Sequence, residues 1–597
     1  MASTFHVENL GCRAARADGE AVSDRLHSAG LCERQPSAAD LVVVNTCSVT
    51  AEADRAARAY IRRTHRLNPE ARIVVTGCYA QRAPEELAAI DGVAAVVGNS
   101  HKALAPEIIL GLVHGKAGIE DVCEMLPSGA EAYAPESGLL DELKSLREKD
   151  NFQANHTKSR THGLKPDVVF EPFAARLKSC PDASCLSESV FAQPVTSCFD
   201  ASCGHECVVP QPEKPVPFTR TNVNAAKKAG LIGVESLIAG GSAPIYADDR
   251  FAHSFLEEAQ VTPGAQTRPN LKIQEGCGNR CSFCVIPFTR GPSKSLPAAA
   301  VLHQVEGFVA AGGKELVLSG INLGRWGRDR TDSTSSNEFS GDLWNRTLAA
   351  KTKTRRGWGT QGCSPRKLAA LVRTILDETA LARLRLSSIE PMDWSEELIG
   401  LMAEYGGARL ARHAHLPLQS GSDAVLRRMY RRYRPWHYAA KVEALVKACG
   451  PELTVGADVM VGFPGESEAE FGETLTLIRA LPFGYLHLFP FSPRPGTPGW
   501  ALHAARPVAA EAVAERMAAL RALAAEKMQA HRRSFAGREL EAITLHTQAE
   551  LAAQGHSAAL TENFLPVELD SRMEANRLVR LRVSGVNAEG VLTATQS

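Results

Sequence analysis

The chain has 597 residues, 44% hydrophobic and 22% charged, with 67 basic residues against 67 acidic ones. That length is too great for one ordinary domain, the composition is that of a soluble globular protein, and the charge balance leaves only local patches to argue for a nucleic-acid partner. The sequence shows no apolar run of about 18 residues and no apolar leader, so a cytoplasmic protein without a membrane span is expected, one whose 15 cysteines are read as metal or redox groups rather than disulfides.

In chain order, the first hundred residues repeat one unit three times. "FHVENLGC", "DLVVVNTC" and "ARIVVTGC" read as strands ending at Cys12, Cys47 and Cys78. Each is followed by a helical stretch: "RAARADGEAVSDRLHSAG", "AEADRAARAYIRRTHRL" and "APEELAAI". A repeat of about 30 to 35 residues is the length of a βα unit. In open parallel sheets functional groups gather beyond the carboxyl ends of strands, so three cysteines on that edge can converge on one site. A small buried residue at a strand end accounts for one such cysteine. It does not account for the same placement three times in succession.

Residues 127–266 break this alternation and are expected to be a poorly ordered insertion or linker. They contain Cys180, Cys185, Cys198, Cys203 and Cys207 with His205, at spacings that match no zinc pattern. "IQEGCGNRCSFCVIPFTRGPSKS", Ile273–Ser295, then places Cys277, Cys281 and Cys284 within eight residues. Chance predicts roughly 0.01 such C-x3-C-x2-C matches per chain of this cysteine content. A structural zinc wants four closed ligands, and the next candidates, His303 and Cys363, are far along the chain. Three thiolates on a four-iron cluster instead leave one iron open to hold a small molecule and pass it an electron.

From Leu271 strand and helix alternate. The predicted strands are "LKIQE", "KELVLSG", "RLRLSS", "HAHLPLQ", "TVGADVMVG" and "YLHLFPFS", with helices such as "AAAVLHQVEGFVAAG" and "RPWHYAAKVEALVKAC" between them. Six βα units predict an open (β/α)6 partial barrel over 267–503, interrupted by a polar insertion at about 328–364, with its chemistry at the C-terminal strand ends. Those ends carry the cysteine loop, Ser319–Gly320, Ser388 with Glu390, Gln419–Ser420–Gly421 and Gly462–Gly465, while Gly312 and Gly313 precede the second strand. His413 and His415 sit on a strand and are read as structural. "RRMYRRYRP", Arg427–Pro435, is a basic run with two tyrosines: arginines pair with phosphates and tyrosines stack on bases, although a solvated helix face explains such a run as often. A helix at about Val508–Ser534 fills a linker, 504–535. "ELEAITLHT", "FLPVELD", "RLVRLRVSG" and "GVLTAT" then predict a small all-β barrel over 536–597. The fold class is therefore α/β, with an N-terminal parallel βα domain (1–126), a partial barrel and an all-β tail.

The segments "NTCSVTAEADRAAR", "VVTGCYAQ", "KIQEGCGNRCSFCVIPFTRG", "LSGINLG", "HLPLQSGSDAVLRRMYRRY", "ADVMVGFPGE" and "FPFSPRPGTP" together resemble the radical S-adenosylmethionine (SAM) methylthiotransferases, over about two-thirds of the chain. The tail, with "TENFLPV", resembles the RNA-binding TRAM domain of that family. The resemblance implies two 4Fe–4S clusters and SAM as cofactors. It assigns Cys277, Cys281 and Cys284 to the SAM-binding cluster, and Cys12, Cys47 and Cys78 to an auxiliary one. It places Phe283 near the adenine of SAM and Gly312–Gly313 near its amino group, although glycines there also read simply as turns; Ser388, Glu390 and Gln419 are taken as further cofactor contacts from their place at the strand ends. The long spans at 127–266 and 328–364 are foreign to the family pattern.

The implied reaction replaces an aromatic C–H by C–S–CH3, with a tRNA anticodon stem-loop, a reductant such as flavodoxin or ferredoxin, and a sulfur donor as partners. Family branches act on threonylcarbamoyladenosine in tRNA, on isopentenyladenosine in tRNA, or on an aspartate of a ribosomal protein. "NTCSVTAEAD", "GCYAQ" and "FPFSPRPGTP" look most like the threonylcarbamoyladenosine branch, with the isopentenyladenosine branch second. A non-catalytic iron–sulfur RNA-binding protein is the reading from a different class.

Overall fold

The computed structural model describes residues 3–113, 243–249, 251, 261, 267–330 and 367–597. The expected insertion at 328–364 and the cysteine-rich span Cys180–Cys207 lie almost wholly or wholly outside them. The N-terminal domain is a parallel sheet of β1 (Thr4–Leu10), β2 (Cys32–Glu33), β3 (Leu41–Thr46), β4 (Arg72–Gly77), β5 (Val93–Gly98) and β6 (Ile245–Tyr246), in the order β2-β1-β3-β4-β5-β6. β3 is buried along its whole length, which is why it reads as an unbroken apolar run rather than an alternating one: helices cover both faces. β6 comes from the span expected to be linker. It pairs in parallel with β5 and buries Tyr246, closing an edge that would otherwise expose unpaired backbone groups. The domain therefore draws its last strand from beyond residue 126.

The second layer is the partial barrel: β7 (Asn270–Glu275), β8 (Lys294–Ser295), β9 (Glu315–Gly320), β10 (Arg383–Leu386), β11 (His413–His415), β12 (Thr454–Val461) and β13 (Phe483–Pro490). β7, β9 and β10 form one parallel run, with the short β8 antiparallel on β7; β11, β12 and β13 form another. The two runs are joined where Leu384 N–H donates to the Arg409 carbonyl (2.8 Å) and Ala411 N–H to that of Leu384 (2.9 Å). One apolar core, including Ile273, Leu316, Leu384, Val455 and Phe483, fills the space between these strands and their helices. β11 is shorter than "HAHLPLQ" predicts. Pro417 cannot donate to a ladder, so the regular pairing lapses there: Leu416 and Leu418 still donate to the Gly456 and Asp458 carbonyls (2.9 and 3.1 Å), and an isolated bridge follows at Gln419, whose φ is +64°.

The tail is a closed five-stranded barrel, β14 (Glu539–Thr544), β15 (Ser557–Thr561), β16 (Pro566–Leu569), β17 (Leu578–Val586) and β18 (Leu592–Gln596), reached through the helix Ala510–Arg533. β15, "SAALT", escapes sequence reading because small residues carry little strand preference. The tail docks at the N-terminal ends of the partial-barrel strands. Arg385 donates to the Thr561 carbonyl (3.2 Å), Arg412 Nε to Glu562 (2.8 Å) and Asn563 to the Glu452 carbonyl (2.9 Å). Phe564 lies tilted against His413 there, 4.4 Å between ring centres. Among the described residues no helix is long and apolar enough to cross a membrane.

Candidate active site: two cysteine triads joined through an arginine

β1, β3 and β4 lie side by side, so their carboxyl ends place three cysteines along one edge. Cys12 caps the helix Arg13–Ser28, Cys47 follows β3, and Cys78 opens the helix Cys78–Arg82. Gly77 turns the chain at φ +98°, and a Cβ there would stand 2.4 Å from the Thr46 carbonyl oxygen, so only glycine permits this approach. Burial pushes the Cys47 thiol up to about 12, and the adjacent Cys78 and Cys12 add to the shift. The triad is graded, with Cys78 buried, Cys47 half-buried and Cys12 exposed.

The second triad is local. Gly276 bends the chain at φ +69°, Cys277 N–H donates to the Gly291 carbonyl (3.1 Å) and Cys284 N–H to that of Cys281 (3.2 Å), closing the loop between β7 and the helix Ile286–Arg290. Burial pushes the Cys284 thiol up to about 12, reinforced by Cys281 and Cys277. Arg431 Nη1 donates to Cys281 Sγ (3.3 Å), while its Nη2 is held by both oxygens of Glu390 (2.8 and 2.6 Å).

Arg290 joins the triads. It closes the helix that follows Cys284, and its Nε donates to Cys78 Sγ at 3.2 Å. Its Nη1 binds Asp18 (3.1 Å) and Glu275 (2.8 Å), which are shared with Lys102 and Lys272. Burial alone would raise the two carboxyls; the three cations reverse this and hold both below the ordinary carboxylate range. Three cations against two carboxylates leave one positive charge, and Cys78 as a thiolate would balance it. Asn99 braces the same corner, donating to the Thr289 carbonyl (2.8 Å) and Cys78 Sγ (3.5 Å).

A third tie explains two of the sequence motifs at once. Arg494 of "SPRPGTP" donates to the Val49 carbonyl (3.3 Å) and to Asp54 (2.6 Å), and Ser492 accepts from Ala51 N–H (3.0 Å). The barrel thus holds the loop that carries Cys47.

The remaining predicted residues divide. Phe283 is half-buried against the barrel core. Ser388 Oγ meets His415 Nδ1 (3.0 Å), and Glu390 stands one residue from Cys281 through Arg431. Gln419 is buried with Oε1 lacking a partner. Gly312 and Gly313 do not belong with them. They precede β9, at the end of the barrel opposite the cysteines, where the Gly312 carbonyl accepts from Asn576 of the tail and Gly313 packs against Phe308. Their role is a turn and a close contact. At the correct end of the same strand stands Asn322, with Nδ2 3.7 Å from Cys277 Sγ and a buried, partnerless Oδ1. His415, read as structural, faces Asp458, which also meets His487 (both 3.4 Å); burial opposes and the two imidazoles favour an Asp458 carboxyl held below its ordinary range.

The donor sets fit iron–sulfur clusters. The buried Cys47 and Cys284 thiols, pushed up by burial, become good ligands only beside a cation, and Arg290 Nη2 is a buried donor with no protein acceptor, which an acceptor sulfide beside Cys78 can satisfy. Partial barrel, C-x3-C-x2-C loop and open ligand count define a radical SAM enzyme with a second cysteine-bearing domain. Residues 271–478 match the radical SAM superfamily, and residues 4–98 match uncharacterized protein family UPF0004. A threonylcarbamoyladenosine tRNA methylthiotransferase MtaB of Treponema pallidum is 29% identical over 98% of this chain and 99% of its own. Its namesake in Bacillus subtilis is 28% identical over 95% and 90%. A tRNA-2-methylthio-N(6)-dimethylallyladenosine synthase of Cereibacter sphaeroides is 34% identical over 49% and 57%. The chain carries a radical SAM domain and resembles the radical SAM methylthiotransferases, most of all their threonylcarbamoyladenosine branch. It is a transferase, with SAM and iron–sulfur clusters as cofactors.

Proposed function

We propose that the protein adds a methylthio group to carbon 2 of N6-threonylcarbamoyladenosine at position 37 of tRNA. The observation that carries this reading is that Arg290, which ends the helix following Cys284, meets Cys78, bringing together two cysteine triads that each follow the carboxyl ends of parallel strands. Cys277, Cys281 and Cys284 hold the SAM-binding cluster, and Cys12, Cys47 and Cys78 hold the auxiliary one. When bound, these groups supply a carbon radical able to take hydrogen from an inert aromatic C–H, together with the sulfur to be inserted.

The chain's own part is to orient and to exclude water. Arg431 and Arg290 each direct a charged donor at one thiolate, and charge-assisted bonds of this kind fix that ligand's orientation. The partnerless Gln419 Oε1 and Asn322 Oδ1 are buried acceptors at the carboxyl ends of the barrel strands, suited to donor groups of SAM. Phe283 offers an apolar face beside Cys284, and Ser388 fixes the His415 ring. Support for the nucleoside comes from near full-length alignment with two enzymes named for it, against half-length alignment with the isopentenyl-type synthase.

Nucleoside mass spectrometry of tRNA from a deletion strain tests the reading. The expected result is loss of the methylthio group from threonylcarbamoyladenosine alone. Loss from the dimethylallyl nucleoside instead would move the protein to the other branch.

A further inference from the structure

Seven large apolar side chains are exposed among the described residues, and six gather around the two triads. Val49 lies two residues from Cys47, and Phe288 sits on the helix after Cys284. Met392 follows the Glu390 that holds Arg431. Tyr430 is flanked by Met429, whose carbonyl accepts from Ser282 N–H (3.1 Å), and by Arg431. Trp500 adjoins Gly499, whose N–H donates to the Ser282 carbonyl (2.7 Å). Trp436 opens the helix Pro435–Cys449, whose capping Arg434 donates to the Arg431 carbonyl (3.1 Å). These six are 44–59% exposed. A soluble protein rarely gathers its exposed apolar groups around one opening unless something docks there.

The basic run sorts itself in the same place. Arg428 pairs with Glu470, Arg431 with Glu390, and Arg427 and Arg434 with Asp423. Arg432 is exposed, as is Arg280 in the cysteine loop, and neither side chain has a hydrogen bond or ion pair among the described residues. Tyr433 turns inward and donates to the Pro417 and Leu418 carbonyls (2.7 and 2.8 Å), whereas Tyr430 turns out. Tyr430 also holds φ +57°. Its N–H bonds the Arg427 carbonyl and that of Arg431 bonds Leu426, the arrangement that ends a helix on a left-handed residue, where glycine is usual. A strained, solvated tyrosine at that position costs stability and returns no packing, which points to an external contact.

We infer that this rim is a stacking platform for the unpaired nucleotides that flank the target base, with Tyr430 and Trp436 stacking on bases and Arg280 and Arg432 pairing with phosphates. Aromatic faces interleaved with unpaired arginines fit single-stranded RNA, whose bases splay out and whose backbone is anionic. The inference rests on the RNA-substrate reading above and names the surface that reading requires.

The test is fluorescence anisotropy with the anaerobically reconstituted full chain, a labelled RNA hairpin with an unpaired loop, and a fully paired RNA of equal length. Tyr430→Gly and Trp436→Ala are expected to weaken hairpin binding about tenfold each and to leave duplex binding unchanged. Tyr430→Phe should bind like the parent. Arg432→Gln should flatten the salt dependence by about 0.7 in logarithmic slope. Iron content and melting temperature separate these effects from misfolding, and Tyr430→Gly should melt no lower than the parent because it relieves the left-handed strain. Parent-like hairpin affinity in Tyr430→Gly and Trp436→Ala overturns the inference alone and leaves the rim to a protein partner. A parent chain that binds no hairpin overturns the RNA reading with it.

Discussion

Cys277, Cys281 and Cys284 come from one loop between β7 and the helix Ile286–Arg290, whereas Cys12, Cys47 and Cys78 come from three strands and are separated by 35 and 31 residues. The first set is held largely by the backbone of its own loop, through Cys277–Gly291 and Cys284–Cys281. The second is a product of tertiary structure, and the barrel completes it: Arg494 grips the Cys47 loop, and Arg290 meets Cys78. A local triad survives damage elsewhere. A distributed one is only as good as the interface that assembles it.

The largest expected effect cuts the two sets apart. Cys281→Ala should keep about four of about eight irons and lose SAM cleavage under dithionite, while Cys47→Ala should also keep about four irons but still cleave SAM. Loss of all iron in either variant would break the distinction. Next, Arg290→Gln leaves Asp18 and Glu275 short of one partner inside a buried network, for which about 3–5 kcal/mol is expected, read as a lower urea midpoint. Arg431→Gln should cost less, because Glu390 keeps some access to water.

A control lies away from both triads. Burial, helped by Arg532, lowers the His531 pKa from 6.5 to about 4. The unfolded chain takes up this proton near pH 6.5 and the folded chain only near 4, so stability present above pH 6.5 is lost as pH falls through that window. The loss is roughly 3 kcal/mol for the apo protein and should flatten in His531→Asn, followed by urea unfolding across pH. The smallest effect sharpens the interface argument. Thr497 caps the helix Pro498–Ala505 and donates to the Arg494 carbonyl (2.7 Å). Thr497→Ala should cost about 1 kcal/mol in thermal unfolding and loosen auxiliary iron before core iron, as timed chelation would show.

The same contrast governs what could be read without coordinates. The core loop is legible because its chemistry is contiguous, and the repeated strand–cysteine–helix unit made even the distributed triad visible. Arg290, Asp18, Lys102 and Asn99 were not, because a charge acquires meaning only from what it meets across an interface. Gly312–Gly313 misled for a related reason: a glycine pair looks the same in sequence at either end of a barrel, and only strand direction tells which. β6 was hidden behind more than a hundred intervening residues, and β15 behind alanines. Of "RRMYRRYRP", sequence gave the charge but not the division into inward-facing braces and outward-facing arms.

The segment "TENFLPV" suggested an RNA-binding module, yet Glu562, Asn563 and Phe564 are engaged with Arg412, Glu452 and His413, and Arg385 lies over the Phe564 ring at 5.3 Å. Phe564 and its neighbours are spent on bracing the barrel. Cutting away the tail would strip Arg412, Arg385 and His413 of these partners and leave buried charge exposed or unpaired. An inactive truncation would then report a weakened scaffold, and only point changes on the tail's outer face could ask whether it also grips a nucleic acid.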